Sequence, residues 1–313
     1  MKNHGRRHLV LLILLIFTWA ISWPVIKVGV ATVSPIWYAC LRYLIATCCL
    51  FVFVGMRRDL AVPPRSDWPH VAASGVLQMG VYSALTGFAL TILPAGRASV
   101  LAFSTPIWVV PLAGWWLHEY ASRRAVFGVG LGLVGVLSVA APSIYLNGME
   151  HALAYFMLLA AAGAWAVTIV IVRAHRFTAT VLALAPWQML VAACLLLPLA
   201  IVAEGAPPAI GVRAAVSLAY VGPIATAFAY WAVVEAGRHI RASTMAMALL
   251  AAPTLGILIS ALALDEPIGA SLVAGVLLIG MGIRLVTHAP ARQADMSQPC
   301  NCSNTTEASA DAP

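Results

Sequence analysis

Two stretches of the sequence, RASVLAFSTPIWVVPLAGWWLHE at residues 97–119 and RASTMAMALLAAPTLGILISALALDE at residues 241–266, share one pattern. Each begins with Arg-Ala-Ser, contains a proline within an apolar run and ends on a glutamate. A helix of about 20 apolar residues spans the hydrocarbon core of a bilayer. The pattern therefore predicts two related membrane helices in one chain.

The composition of the chain is that of a membrane protein. Of its 313 residues, 62% are hydrophobic and 9% are charged. Soluble globular proteins carry about 25% charged residues, so this chain has too few to cover a water-facing surface. We expect the net charge of +7 to face anionic lipid headgroups rather than nucleic acid.

Ten segments are long and apolar enough to cross a bilayer. They are apolar on every face, which favours helices over the alternating strands of a membrane barrel. The predicted fold class is an all-α membrane protein with ten transmembrane helices. The spans cover residues of about 9–26, 34–56, 71–96, 98–117, 125–149, 152–172, 177–203, 214–234, 242–264 and 268–287.

The two ends of the chain need separate interpretations. The start, MKNHGRRHLVLLILLIF, also fits a signal peptide with a weak cleavage site, but we interpret it as the first span because the apolar run continues to Val30. Residues 289–313 are rich in Ala, Ser, Asn, Thr and Pro, and are predicted to form a disordered tail. The Cys-x-Cys of Cys300 and Cys302 in this tail is a weak metal signal, and we predict no metal site.

Basic residues predict the orientation of the chain, because Lys and Arg collect in cytoplasmic loops. If residues 1–8 are a cytoplasmic N-terminus, the outer loops hold only two basic residues, Arg97 and Arg213, against fourteen in the inner segments. Both termini are then expected in the cytoplasm. The inner segments hold fourteen basic residues: Lys2, Arg6, Arg7, Arg57, Arg58, Arg65, Arg123, Arg124, Arg173, Arg176, Arg238, Arg241, Arg284 and Arg292.

The two halves of the chain repeat one another. Corresponding residues recur at offsets of 144 to 147, which predicts two five-helix units at 9–142 and 150–288. Because five is odd, the second unit enters the membrane from the opposite side. Inverted repeats are a signature of secondary transporters, with the substrate site between them near the midplane. The recurring pairs are Trp19 and Trp165, Lys27 and Arg173, Pro106 and Pro253, Glu119 and Glu266, Gly128 and Gly275, and Gly135 and Gly282.

These residues resemble the repeat of the EamA-type transporters, a family of the drug/metabolite transporter superfamily. The likeness lies in the Arg-Ala-Ser start, the proline, the terminal glutamate and the glycine-rich span that follows, and it covers about residues 9–288. Trp19, Lys27 and Leu41-Arg42-Tyr43 also fit the opening spans of the family. The resemblance implies a ten-helix bundle that exports small metabolites or amino acids, often across a bacterial inner membrane. It implies no particular cargo.

Ten polar or aromatic residues near the middle of the spans are candidates to line the substrate cavity. Aromatic rings hold flat or cationic molecules through their faces, although a single Trp in a helical bundle more often serves packing. Gln78 and Tyr82, four residues apart on one helical face, form the strongest pair. The ten are Trp19, Trp23, Arg42, Gln78, Tyr82, Ser104, Trp108, Trp165, Tyr230 and Trp231.

Two basic residues within the spans have open roles. Arg42 lies about eight residues from the outer end of its span, on the order of 12 Å deep. An arginine at this depth needs a partner or a wet cavity, so it either binds a carboxylate of the cargo or anchors the structure. Lys27 lies near the outer end of the first span, where it either snorkels to the interface or contacts cargo.

The repeated glutamates, prolines and glycines favour structural roles. Glu119 and Glu266 lie at span ends beside a following helix, and we interpret them as helix caps rather than proton carriers. Pro106 and Pro253 each kink a helix or free a carbonyl that lines the cavity.

The glycines predict close helix packing. Gly128 and Gly132 form a GxxxG motif in the fifth span, and Ser271 and Gly275 form a similar pair in the tenth. Small residues at this spacing let helices approach closely. We expect these contacts within one chain, with a homodimer face as the alternative.

The sequence therefore predicts a secondary transporter of small molecules, with alternating access and with no cofactor or catalytic residues. None of the eleven Asp and Glu residues lies near the middle of a span, where coupled pumps place a carboxylate, so we hypothesise a facilitator or exchanger. A passive pore or a sensory protein is the alternative. An enzyme is less favoured, because the short loops lack a set of catalytic groups.

Overall fold

The computed structural model of the chain describes residues 2–119, 121–240, 245, 249 and 251–287, without the side chains of residues 2–7 and 238. The second Arg-Ala-Ser motif, at residues 241–243, and the predicted tail at 289–313 lie outside the described residues, as do Cys300 and Cys302.

All the regular elements in the described part of the chain are helices and none is a strand, which confirms the predicted all-α class. We number ten helices in chain order. Nine of them, α1 to α8 and α10, are long and apolar enough to cross a membrane, and the described part of α9 is shorter, with 14 residues. The helices are α1 Lys2–Val30, α2 Pro35–Met56, α3 Trp68–Ile92, α4 Ala95–Trp116, α5 Arg123–Asn147, α6 Met149–Ala174, α7 Val181–Glu204, α8 in the consecutive segments Val212–Tyr220, Val221–Phe228 and Ala229–His239, α9 Ala251–Leu264 and α10 Ala270–Thr287.

Short polar signals set several helix ends. The hydroxyl of Ser122 accepts a hydrogen bond from the backbone N–H of Ala125 at the start of α5, and Thr180 does the same for Ala183 at the start of α7. Such caps satisfy backbone donors that a helix leaves unpaired at its first turn.

We call the side of the bundle on which α1 begins the first face, and the side on which it ends the second face.

The helices of the two halves pack against each other in matching pairs. Helix α1 packs along α9, and α4 packs along α6. Helix α2 packs along α7, and α5 packs along α10. Each of these pairs joins a helix of the first half to one of the second, so the halves are interleaved rather than lying as two separate units.

The closest of these contacts is the glycine seam between α5 and α10. A Cβ added to Gly128 would lie 2.7 Å from the carbonyl oxygen of Gly282, and one added to Gly135 would lie 2.9 Å from that of Gly275. Gly132 faces Ile107 of α4. The glycines that the sequence singled out are thus occupied in contacts within the chain.

Helices α3 and α8 widen into π-helical turns at corresponding places. The π segments are Ser74–Val81 in α3 and Val221–Phe228 in α8, each of eight residues, and they are offset by 147 residues. A π turn interrupts the α-helical hydrogen-bond pattern and is frequent at functional sites. Both segments contribute to the wall of the cavity described below.

Helix α4 is interrupted at Phe103 and Ser104 and resumes at Thr105. Pro106 lies in the first turn of the second segment, where its missing N–H leaves no bond broken. The hydroxyl of Ser104 donates to the carbonyl of Leu101 at 2.6 Å, which satisfies that carbonyl locally. Pro253 is buried near the start of the described part of α9.

The glycine seam predicts a difference between two neighbouring glycines of α10. A Cβ on Gly282 would lie 2.6 Å from the backbone oxygen of Gly128, whereas one on Gly280 meets nothing within 4 Å. Overpacking of this kind costs about 1–3 kcal/mol. We expect Gly282→Ala to lower the melting temperature in detergent and Gly280→Ala to leave it unchanged. Equal effects of the two substitutions would contradict the seam.

Candidate functional site

A cavity of about 180 Å³ lies within the bundle and is lined by residues of both halves of the chain. Its first-half wall runs from Trp19 in α1 to Phe103 at the break in α4, and its second-half wall runs from Trp165 in α6 to Val233 in α8. The wall combines aromatic rings with hydroxyl, amide and guanidinium groups. Pockets that bind small molecules have this mixture of apolar surface and a few placed polar groups.

Arg42 contributes a positive charge to the cavity wall. Its Nε donates a hydrogen bond of 2.7 Å to the hydroxyl of Thr226 in the second π segment. The same hydroxyl donates to the carbonyl of Val221 at 2.7 Å, which a π turn places within reach. The guanidinium also lies 5.3 Å from the ring of Tyr43, within cation–π range. The π segment of α8 thus positions the acceptor that orients Arg42.

Aromatic rings line the cavity in two groups. Trp19 and Trp23 both contact Phe103, with ring centroids 6.2 and 6.4 Å apart. Tyr82 meets Trp165 edge to face at 5.1 Å. Edge and tilted contacts of this kind fix ring orientations.

The structure brings seven of the ten predicted cavity residues to the cavity wall and leaves three outside it. Ser104, Trp108 and Trp231 do not line the cavity. Ser104 is fully buried at the α4 break, and Trp231 packs against Phe53 and Phe228. The α4 break turns Phe103 to the cavity in place of its neighbour Ser104. The seven that line the cavity are Trp19, Trp23, Arg42, Gln78, Tyr82, Trp165 and Tyr230.

Several wall residues were not predicted from the sequence. Ser22 lies one helical turn from Trp19 and therefore shares its helix face, so helical periodicity could have predicted it as a wall residue. Thr226 carried no such signal, because its contact with Arg42 joins residues 184 positions apart. Other members of the wall missed by sequence reasoning are Ile26, Tyr43, Met79, Thr86, Leu90, Phe103, Met189, Ala225 and Val233.

Glu266 and Lys27 form an ion pair on the second face. Lys27 Nζ lies 3.2 Å from Glu266 Oε1 and donates to the carbonyl of Leu93 at 2.8 Å. The Glu266 carboxylate also accepts the backbone N–H groups of Ala95 and Gly96, at 2.7 and 2.9 Å. The carboxylate that ends α9 therefore caps the start of α4, a helix of the other half, rather than the helix that follows it.

Glu204 makes a similar cap on the same face. At the end of α7, its carboxylate accepts the N–H groups of Ile36 and Trp37 at the start of α2, at 3.0 and 2.9 Å. A negative charge at a helix start also compensates the helix dipole. Two second-half carboxylates thus close the second face over first-half helices.

Glu119 and Arg173 form the corresponding pair on the first face. Arg173 Nη2 lies 2.8 Å from Glu119 Oε1. The residues before the two glutamates, His118 and Asp265, share a left-handed backbone with φ of 54° and 53°. The side chain of Glu119 is 41% exposed, whereas that of Glu266 is 11% exposed. The first-face pair is therefore the more open of the two.

Asp67 joins the halves elsewhere on the first face. His175 Nε2 lies 2.8 Å from Asp67 Oδ1, and the backbone N–H and hydroxyl of Thr178 donate to Oδ2 at 3.2 and 2.9 Å. Asp67 is 0% exposed, and these bonds, led by that with His175, lower its carboxyl pKa to about 2. The rings of His70 and His175 stack at 3.7 Å above this network. The start of α3 is thus fixed to the loop between α6 and α7.

One trio in the described part of the chain has the residue types of a metal site. The ligand atoms of His8, Glu235 and His239 lie within 4.8 Å of one another. The rings of His8 and His239 are stacked, with centroids 4.0 Å apart and an angle of 24°. A shared ion needs both ring nitrogens to direct their in-plane lone pairs at one point, and stacked rings present their faces instead. The trio fits an aromatic contact between α1 and α8.

Long apolar helices around a polar cavity define the class of this protein as a multi-pass membrane transporter, and the family comparison agrees. The model of the EamA-like transporter family matches the chain twice, at residues 6–141 and 152–288. The chain belongs to this family, as the sequence pattern predicted. Its relatives are named as transporters and not as enzymes.

Three of the relatives carry names that mention amino acids, and two of them illustrate the range. A probable amino-acid metabolite efflux pump of Salmonella typhimurium is 27% identical, over 87% of this chain and 92% of that protein. A probable terminal-alkyne amino-acid exporter of Streptantibioticus cattleyicolor is 27% identical, over 90% and 97%. A solved crystal structure shares the fold, with a TM-score of 0.59 and 22% identity over 87% of this chain and 94% of that one.

The Asp67 network predicts a pH-dependent contribution to stability. The folded pKa of about 2 lies below the ordinary 3.8, so the carboxylate stabilises the fold above about pH 4 and loses this effect as the pH falls towards 2. We expect Asp67→Asn to lower the melting temperature at pH 7, with a difference from the unmodified protein that shrinks below pH 4. Asp59→Asn, at an exposed carboxylate, is the control. A difference that is constant with pH would contradict this assignment.

Proposed function

We propose that the protein exports small metabolites or amino acids across a bacterial inner membrane, by alternating access at the Arg42 cavity. The observation that carries this proposal is the origin of the cavity wall, which both halves of the chain supply. A site between two halves changes its access when one half moves against the other. Both termini then lie in the cytoplasm, so the first face is cytoplasmic and the second face is external.

The two halves are proposed to be inverted five-helix repeats, at residues 9–142 and 150–288. The two π segments and the left-handed residues before Glu119 and Glu266 recur at a spacing of 147 residues, and the two family matches at 146 to 147. The packing of α1 on α9 and of α6 on α4 follows the same exchange of halves. Repeats related in this way give two states of similar energy, one open to each side.

The two ion pairs are the proposed gates of this motion. Lys27 and Glu266 pair on the external face, and Arg173 and Glu119 pair on the cytoplasmic face. Each pair joins a base of one half to an acid of the other, and the two pairs are related by the repeat. The external pair is the more buried and also caps α4, so the structure corresponds to a state that is more firmly closed outside.

Outward transport is supported by the names of the relatives, an efflux pump and an exporter.

The cavity wall formed by described residues contains no carboxylate. Proton- and cation-driven carriers place such a group at the site. A facilitator or exchanger therefore fits the cavity better than a proton-coupled pump.

The gates predict opposite effects of two matched substitutions. Glu266→Gln weakens the external gate and Glu119→Gln the cytoplasmic one, and a change of about 1–2 kcal/mol shifts the ratio of the two states about 5- to 30-fold. In a background without native cysteines, a cysteine at Ser22 in the cavity reports access to a membrane-impermeant maleimide. We expect Glu266→Gln to increase labelling from outside and Glu119→Gln to increase it from the cytoplasm.

Asp59→Asn is the control for the gates, because Asp59 is an exposed charge that pairs locally with Arg57. Changes in the same direction for both glutamates, or no change beyond this control, would contradict the assignment of the gates.

A tolerance screen tests the transport function itself. We expect overexpression in bacteria to raise tolerance to at least one compound in a panel of amino acids, organic acids and cationic dyes. Replacing Gln78 and Tyr82 together by alanine should abolish that tolerance without lowering the amount of protein in the membrane, because both side chains line the cavity. Tolerance that survives this double substitution would show that the cavity is not the transport site.

A further inference from the structure

Among the described residues that line the cavity, Arg42 is the one with a charged side chain. Arg42 donates its Nε to a neutral hydroxyl, that of Thr226. Among the described residues that line the cavity, none is acidic. A guanidinium at this depth in a membrane protein needs an anion or water as its partner.

The nearby acids of the bundle are engaged at its faces. Glu266 binds Lys27 and the start of α4, and Glu204 binds the start of α2. Glu119 binds Arg173. These three carboxylates lie at helix ends and already have partners. Glu235 of α8 lies 3.8 Å from His239 Nε2 and is not among the residues that line the cavity.

The repeat does not supply a second charge either. An offset of 146 residues relates Arg42 to Gln188, which is neutral. The Oε1 of Gln188 accepts a hydrogen bond from the hydroxyl of Tyr230 at 2.8 Å. The position that the repeat relates to Arg42 is therefore neutral and lies behind Tyr230, and the described residues of the cavity wall carry a net charge of +1.

The remaining geometry of the site fits a carboxylate on an apolar body. Because Nε is bound to Thr226, the two terminal nitrogens of Arg42 are the ones that can grip a carboxylate, a geometry that suits guanidinium. The rings of Trp19, Trp23 and Trp165 line the same cavity and offer apolar surface for the rest of such a molecule. An anion neutralises the site, whereas a zwitterion adds an ammonium group to a cavity that is already positive.

We propose that the cargo is an organic monoanion, a carboxylate on a planar apolar body, and that the membrane potential drives its export. This inference rests on the proposed function and names the cargo class of the same cavity. With cargo bound, the site is neutral, and when empty it carries +1. A potential that is negative inside draws the empty site back to the cytoplasmic side, so each cycle moves one negative charge outward. A potential of 100 mV supports about a 50-fold concentration ratio for one charge.

Three probes with one ring and different charges test the cargo class. They are 3-phenylpropanoate, an anion, phenylalanine, a zwitterion, and phenethylamine, a cation. The full chain is reconstituted in liposomes, and counterflow of each probe is measured above that of protein-free liposomes. We expect counterflow of 3-phenylpropanoate, at least tenfold faster than that of the other two.

A potassium gradient with valinomycin then tests the driving force. Above the flux of protein-free liposomes, efflux of 3-phenylpropanoate should accelerate with the interior negative and slow with the interior positive, and a pH gradient without a potential should leave this protein-dependent part unchanged. Preferred counterflow of phenylalanine or phenethylamine, absence of counterflow for all three, or a flux independent of potential would each overturn the proposal. A compound identified by the tolerance screen would still support transport, so the two failures are distinguishable.

Two variants keep the test independent of folding defects. Arg42→Lys retains the charge and should retain the response to potential, with weaker affinity because the forked geometry is lost. Gln188→Glu retains an acceptor for Tyr230 and adds a compensating negative charge. It should shift the preference from 3-phenylpropanoate towards phenylalanine. An unchanged preference in Gln188→Glu would contradict the dependence on net charge.

Discussion

The absence of water in the hydrocarbon core is the constraint on which the rest of this structure depends. A polar group in that region needs a partner within the protein, so the backbone forms helices and the charges collect at helix ends. Glu204 and Glu266 follow this rule by capping helices of the other half. Arg42 departs from it, since the partner of its Nε is a neutral hydroxyl and its charge faces the cavity.

The same constraint separates a scaffold from the parts proposed to move. Between apolar helices in lipid, close packing provides the attraction that water provides elsewhere. The glycine seam of α5 and α10 uses backbone contacts that tolerate no added atom, which favours a fixed unit. The ion pairs of Glu119 and Glu266, which are the proposed gates, lie instead at the faces, where solvent can replace a lost partner.

Part of the site was within reach of sequence reasoning. Trp19, Trp165, Gln78 and Tyr82 were predicted because they are polar or aromatic residues near the middle of apolar spans, and Gln78 and Tyr82 also share a helical face. Ser104 and Trp108 were also expected at the cavity, but the interruption of α4 turns Phe103 there instead. That interruption depends on how α4 packs, which local periodicity does not encode.

The sequence by itself determined that this is a membrane protein, because 9% charged residues are too few to cover a water-facing surface. The sequence also identified the packing glycines and the repeated glutamates, since both are recognised from their spacing along the chain. Only the tertiary structure decided which groups meet. Thr226 reaches Arg42 across 184 residues, and Glu266 caps a helix 170 residues away, because helices distant in sequence lie side by side in the bundle.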